Sequence, residues 1–504
     1  MIENIELSDD QKKRIEQYML LFAKLQKNIV QDLYNNHNDS VIYKKFPKER
    51  VIKMFDNPQA NERDLRELSG FLYQASTHYR RLVDYYATIL LYNYTVVPTN
   101  LPLDINKEKY KNTYLNVIYL CEKYNLRQEA KKAIKMAIRD GVYYGLCYET
   151  DISFHIRPFD NRYAKISTIE DSCFRFAIDL EYFNGKSKDY IRDMYGNDIL
   201  NAFIMYKGDK EKNIKGDKKK RWYEPPNGIC IKADETDSVH SLPYFAGLAM
   251  SIFDIEDYSL LKKAKAENDN YKALAMKMIT DEDGVPKMDY EMAMKYYDQA
   301  SGNIPAGIGL IISPFDIQEF TFNKNSTAER DALIEAEENF YFSAGTSPLI
   351  FGSAKATSSS SLTLSVKPDE ELAFSLLEQF QRFFNMKLKK MNLPYGFAIK
   401  FLDQSIFNRD EFINRYQKAA SYGVSVKMQY AASLGLSPSD VEGMSYLEDE
   451  ILGLGKTKWI HPLVSSNVQS GVNNDEGGRP TAEEKGEQIG DAGEKTRNTD
   501  GNDR

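Results

Sequence analysis

Residues 345–368 set the tightest constraint on how this chain can fold. Gly345-Thr346-Ser347-Pro348-Leu349-Ile350-Phe351-Gly352-Ser353-Ala354-Lys355-Ala356-Thr357 is followed by Ser358, Ser359, Ser360 and Ser361, then Leu362 to Lys367, and ends on Pro368. Small hydroxyl side chains compete with the backbone for hydrogen bonds and disfavour a helix, so the stretch reads as a movable loop. Both flanks are amphipathic. Upstream, Ser326-Thr327-Ala328-Glu329 is a capping box that opens a helix carrying Ala332, Leu333, Ala336 and Phe340 on one side. Downstream, Leu372, Leu376, Leu377, Phe380, Phe383 and Phe384 give a wide apolar face to a helix over 369–391. Ser-rich loops are commonly plain surface linkers.

Helical spacing also governs the start of the chain. Ser8 with Gln11 precedes Ile15, Tyr18, Met19, Phe22, Leu25, Ile29 and Leu33, a long amphipathic helix. A second helix is expected over 64–92, containing His78 as a satisfied structural histidine, and a third over 130–140 that stops on Gly141. The period then changes to two. Ile152, Phe154 and Ile156 alternate with polar residues, as do Phe174, Phe176 and Ile178, which predicts sheet with His155 on a solvent face. Residues 207–221, with the run Lys218–Lys220 and Arg221, read as an exposed connection whose basic tip is solvated.

From 243 to 279 the helical pattern returns. Gly/Pro-punctuated pieces around 283–286 and 302–307 then precede a strand-like 308–312, a small α/β insertion. Past the Ser-rich segment and its helix, shorter helices are expected over 410–422, 427–434 and 438–452, the last opened by Ser437-Pro438-Ser439-Asp440. Beyond Val464 almost no apolar residue remains, so a disordered tail is expected. The fold class is therefore α+β, mostly helical.

Chemistry is harder to find. Four cysteines at 121, 147, 173 and 230 lack metal or redox spacing and read as buried apolar side chains in a reducing compartment. Five histidines at 37, 78, 155, 240 and 461 build no triad and no metal motif. Gly453-Leu454-Gly455-Lys456-Thr457 imitates the end of a phosphate loop, but Glu450 stands where its first glycine belongs and no helix follows. Glu335, Glu337 and Glu338, or Asp369-Glu370-Glu371, could mimic a metal cluster, yet acidic first turns and solvated faces are ordinary in helices. No catalytic residue, metal or cofactor is expected. A net charge of -8 argues against gripping nucleic acid or an anionic membrane over the whole surface. No signal peptide and no apolar run of membrane-spanning length is seen, which suggests a protein made in a cytoplasm and not held in a membrane.

Several stretches, taken in order, resemble the portal proteins of tailed double-stranded DNA bacteriophages. They are the Tyr-Arg-Arg-Leu-Val-Asp-Tyr-Tyr-Ala run from Tyr79 to Ala87, Tyr94 to Pro98, Ala133 to Glu149, and the pairs Tyr422-Gly423-Val424-Ser425 and Leu434-Gly435-Leu436-Ser437. The resemblance implies a wing (1–242), a first stem helix (243–279), a clip (280–324), a second stem helix (325–344), a tunnel loop (345–368), a channel helix region (369–404), a helical crown (405–455) and a tail (456–504). It also implies a ring, usually of twelve subunits, at one capsid vertex of the virion, assembled in the bacterial cytoplasm. Its partners would be double-stranded DNA in transit, the terminase large subunit, the major capsid and scaffolding proteins, and the head-tail connector. Ser353, Lys355, Thr357, Ser358, Ser359, Ser360, Ser361 and Lys367 would face the DNA, with sparse cations suited to sliding contact. The alternatives are a head-completion or scaffold protein that touches no DNA, and a nucleotide-dependent enzyme.

Overall fold

The computed structural model describes residues 45–100, 105–209, 214–236, 238–270, 272–277, 308–313, 326–352 and 359–453, with a few positions between 291 and 299. The expected helix over 15–33, most of the insertion at 280–307 and the expected tail lie outside these residues. The chain divides into two units, Met1–Val441 and Glu442–Arg504. The class is α+β and mostly helical, as expected.

The first unit opens with the helices Lys48–Asp56, Glu62–Ala75 and Thr77–Thr88. The single helix expected over 64–92 is broken at Ser76, whose extended backbone closes the first piece while its hydroxyl accepts from the Tyr79 amide at 3.3 Å to cap the second. The chain then turns at Tyr92 (φ 56°) into β1, Tyr94–Pro98, which pairs antiparallel with Phe397–Phe401. A helix over Lys107–Tyr124, absent from the sequence reading, precedes Leu126–Asp140. That helix ends on Gly141, at φ +82°, where a Cβ would stand 2.3 Å from the Leu242 carbonyl oxygen; only glycine fits.

Two three-stranded antiparallel sheets follow. Val142–Glu149 lies between Phe154–Pro158 and Gly228–Lys232, and Cys173–Asp179 lies between Ala164–Glu170 and Trp222–Tyr223. The predicted alternation is present from Phe154 to Ile156 but does not extend to Ile152, which is exposed ahead of the strand, and His155 is exposed, 3.7 Å from Glu129. The strand Cys173–Asp179 is covered on both faces, however, because its odd positions carry groups with partners. Arg175 donates to the carbonyls of Gly228, Pro225 and Pro226 at 2.9, 2.8 and 3.1 Å, and Asp179 accepts a two-pronged bond from Arg221 at 2.8 and 2.6 Å. The expected solvated tip holds for Lys218–Lys220, a single exposed turn, while Arg221, with its side chain 42% exposed, also pairs with Asp179 and Glu181. The four cysteines are free and buried.

The helical stretch expected to run from 243 to 279 is shorter. One helix spans Ala249–Asn270, and Lys272–Lys277 is a strand paired in parallel with Ile308–Ser313. Ser326–Ser343 then packs along Ala249–Asn270. The long helix Ser359–Lys390 crosses the helical core, burying Leu376, Leu377, Phe380, Phe383 and Phe384, each contributing about 1.5–3 kcal/mol. Its Gln379 grips the backbone of Lys232 from both sides, accepting from the amide at 2.9 Å and donating to the carbonyl at 2.8 Å, so the helix hydrogen-bonds to a sheet strand as a neighbouring strand would.

Arg409–Ser421 and Lys427–Ser433 close the first unit. Pro438–Ser445 begins at the N-cap expected at Ser437, and Asp440 adds a reciprocal bond, amide to side chain, the two at 2.8 and 3.1 Å. In the second unit, Tyr446–Ile451 continues as a short, exposed π-helical turn.

Candidate functional site

The Ser-rich segment is shorter than its composition suggests. Ser326–Ser343 stops at Gly345 (φ +77°), where the Gly345 amide bonds the Phe342 carbonyl at 3.0 Å and the Thr346 amide reaches back to Tyr341 at 3.1 Å. Pro348–Phe351 forms one helical turn. Helix resumes at Ser359, not at Asp369, so the loop expected over 345–368 loses its last ten residues to the long helix. The hydroxyl argument fails there because Leu362, Val366 and the residues beyond continue the apolar face of the same helix, and tertiary burial outweighs the weak propensity of serine. Ser359, Ser360 and Ser361 therefore begin a helix. Ser353, Lys355, Thr357 and Ser358 lie outside the described residues. Lys367 is exposed beside Glu370 and Glu371, at an open groove of about 570 Å³ that also contains Lys400, Asp403, Glu411 and Arg415.

One helix, Thr77–Thr88, touches both ends of the stretch from Phe351 to Asp369, the second of which lies ten residues inside the following helix. At the upstream end Phe351 stacks face to face on Tyr341, ring centres 4.1 Å apart and planes within 6°. Arg81 donates to the Phe351 carbonyl at 3.2 Å and lies 5.5 Å from the centre of its ring. His78 completes this end, half-buried, with Nδ1 3.3 Å from the Tyr341 hydroxyl and Nε2 3.8 Å from Glu337, the satisfied histidine anticipated.

At the downstream end the Tyr86 hydroxyl donates to Asp369 at 2.7 Å and the Tyr85 hydroxyl donates to the other oxygen at 3.1 Å. Tyr85 serves both ends, since its ring also packs edge-on against Phe351 with centres 5.5 Å apart. Residue by residue, the order along the helix is His78 and Arg81 toward one end of the segment and Tyr85 and Tyr86 toward the other.

The sequence pattern places Asp369 and Glu370 as ordinary acids at a helix start. They instead lie ten residues inside a helix and are buried, 3% and 8% exposed, immediately after Pro368. Proline has no amide to offer the preceding turn, so the ladder is interrupted where these carboxyls turn inward. Burial raises the Asp369 carboxyl to about 6, against the two tyrosine hydrogen bonds that favour its charge. Burial likewise raises Glu370, which accepts from the Ser405 hydroxyl. The signal for this pair was present in the sequence: Asp369 and Glu370 fall in helical phase with Val366, Ala373 and Leu376, on the face that is otherwise apolar.

Among the described residues no group of three or more His, Cys, Asp or Glu side chains could hold a metal ion, and no helix is long and apolar enough to cross a membrane. The glycine-rich Gly453–Thr457 element lies, after Gly453, outside the described residues.

No protein-family model matches this chain, and no curated protein matches it. Among solved structures it is similar to a chain in the neck of an empty gene transfer agent particle computed with C6 symmetry, at 11% identity and a TM-score of 0.39 over 72% of this chain and 91% of that one. It is similar also to a chain in the neck of the native particle computed with C12 symmetry, at 12% identity and 0.41 over 72% and 94%. A third likeness is to a chain in the virion of the native particle, at 12% identity and 0.38 over 75% and 93%. Each is a distant likeness.

Proposed function

We propose that the chain is a portal-type subunit: a non-enzymatic protein that closes into a homo-oligomeric ring at a capsid vertex and passes double-stranded DNA through its centre. The observation that carries this reading is that Thr77–Thr88 bonds the stretch 351–369 at both ends, at Phe351 and at Asp369 inside the long helix, with a helix packed along Ala249–Asn270 before it. A stretch rich in small hydroxyl side chains and poor in cations suits repeated, weak contact with a moving polyanion, because few cations means few released counterions per contact. The element order supports the reading as well: helix, a strand pair spanning an insertion, returning helix, short segment, long helix, small helices.

In this reading the pair Ala249–Asn270 and Ser326–Ser343 forms the stem, the strands Lys272–Lys277 and Ile308–Ser313 root the clip, and residues 353–358 with the first turns of the long helix face the bore. The terminase large subunit, the connector, and the capsid and scaffolding proteins would dock on the ring in the virion. Closure of identical subunits requires a head-to-tail interface. Electron micrographs of the purified chain test the assembly: rings with a central hole are expected, and monodisperse monomers at every concentration would overturn it. ATP turnover by the purified chain alone would overturn the non-enzymatic assignment.

A further inference from the structure

Away from the anchored segment, an open cleft of about 500 Å³ lies between Glu62–Ala75, the end of Leu126–Asp140 and the turn at 157–162. Five arginines reach it, in a chain where lysine outnumbers arginine more than two to one. Three of them are committed to structure. Arg66 is buried, pairs with Glu62 and donates to the carbonyls of Asp140 and Ser241 at 3.2 and 3.0 Å. Arg139 forks onto Asp140 with both bonds at 2.6 Å, and Arg162 forks onto Asp160 at 3.1 and 2.8 Å. The remaining acid of the cleft, Glu67, is 3.5 Å from Lys45.

Every carboxylate lining the cleft therefore has its own cation, and Arg63 and Arg157 are left over, without an ion-pair partner among the described residues. Arg157 is nevertheless held in place. It donates to the Met194 carbonyl at 3.0 Å and its guanidinium lies 4.9 Å from the centre of the Tyr195 ring. Beside it the hydroxyls of Tyr182 and Tyr195 are 3.2 Å apart, with the Lys186 ammonium 3.3 Å from the centre of the Tyr182 ring.

We infer that this cleft binds a phosphate group, gripped by the guanidinium groups of Arg63 and Arg157 beside the Tyr182–Tyr195 hydroxyl pair. Guanidinium forks match tetrahedral oxyanions in pairs of parallel hydrogen bonds, which an ammonium cannot do. A pre-positioned Arg157 loses little side-chain freedom on binding. The phosphate can arrive as the free ion or as the phosphodiester of a DNA strand, since both offer the same oxygens. The inference does not depend on ring formation.

Titration calorimetry of the full chain with inorganic phosphate and, separately, with a short DNA duplex tests it. Binding of at least one probe is expected, weakened about tenfold by Arg63→Gln or Arg157→Gln, the loss of one charge-assisted contact. Arg192→Gln, an exposed arginine paired with Asp189 and Asp193 outside the cleft, is expected to bind as the parent does. Variant-sensitive binding of phosphate alone identifies the free ion. Variant-sensitive binding of the duplex alone identifies the phosphodiester. Binding of neither probe, or binding that both cleft variants leave unchanged, overturns the inference. Arg63 makes no side-chain hydrogen bond among the described residues and acts on Asp179 only through its charge, so its variant decides even if Arg157→Gln, which also loses the Met194 bond, fails to fold.

Discussion

Tyr86 and Asp369, 283 residues apart in sequence, meet in a 2.7 Å hydrogen bond in which the phenol donates to a buried carboxyl. Tyr85 and Tyr86 face Asp369 from one helix, and Glu370 adjoins it on its own. The folded value of about 6 lies above the ordinary 3.8, so between these pH values the folded chain holds more protons than the unfolded one. The stability contributed is full below about pH 3.8 and is lost as pH rises through about 6. Asp369→Asn should therefore flatten the fall in stability over that window, read from denaturant midpoints across it; parallel profiles for variant and parent would refute the assignment. Tyr86→Phe should cost about 1.5–3 kcal/mol at pH 7, where it strands a buried charge, and less at pH 4.5.

Phe351→Ala removes the ring stacked on Tyr341 and packed by Tyr85. A loss of about 3 kcal/mol is expected, in the range for truncating a buried phenylalanine. Because Phe351 is the last anchored residue before the Ser-rich segment, limited proteolysis should also cut between 352 and 359 faster than in the parent. An unchanged cleavage rate would mean the stack does not hold the segment.

Gln379→Ala removes the two hydrogen bonds that Gln379 makes to the amide and the carbonyl of Lys232. Two lost hydrogen bonds at about 0.5–1.5 kcal/mol each predict a loss of roughly 1–3 kcal/mol, measurable by chemical denaturation. Gln379→Glu should be almost as damaging, since a carboxylate can accept from the amide but cannot donate to the carbonyl.

Lys355→Glu tests the contact proposed with DNA. Thermal stability and ring formation should match the parent, while the DNA packaged into particles should fall several-fold, as expected if like charge opposes the passing phosphates. Packaging at the parent level would remove this residue from the bore.

The sequence was most legible where one side chain decides the backbone. Ser437 caps its helix, accepting from the Asp440 amide, and Gly141 stops its helix where no Cβ can fit. It was least legible where burial overrides local preference. Four consecutive serines begin no obvious helix, yet Leu362 and Val366 draw Ser359–Lys390 into one element. The helix Lys107–Tyr124 escaped notice because polar residues interrupt its apolar stripe, and Phe397–Phe401 because five residues are too few to show a period beside a stronger helical signal. Of the candidate site, the segment was visible by composition. Its anchors were not, because the pairing of Arg81 with Phe351 and of Tyr86 with Asp369 spans 270 and 283 residues.

That separation has a consequence in time. A ribosome adding about 5–20 residues per second needs roughly 15–60 seconds to travel from Tyr86 to Asp369. Throughout that interval Tyr85 and Tyr86 are on the nascent chain without the carboxyl they are built to receive, and a product truncated before Asp369 never acquires it.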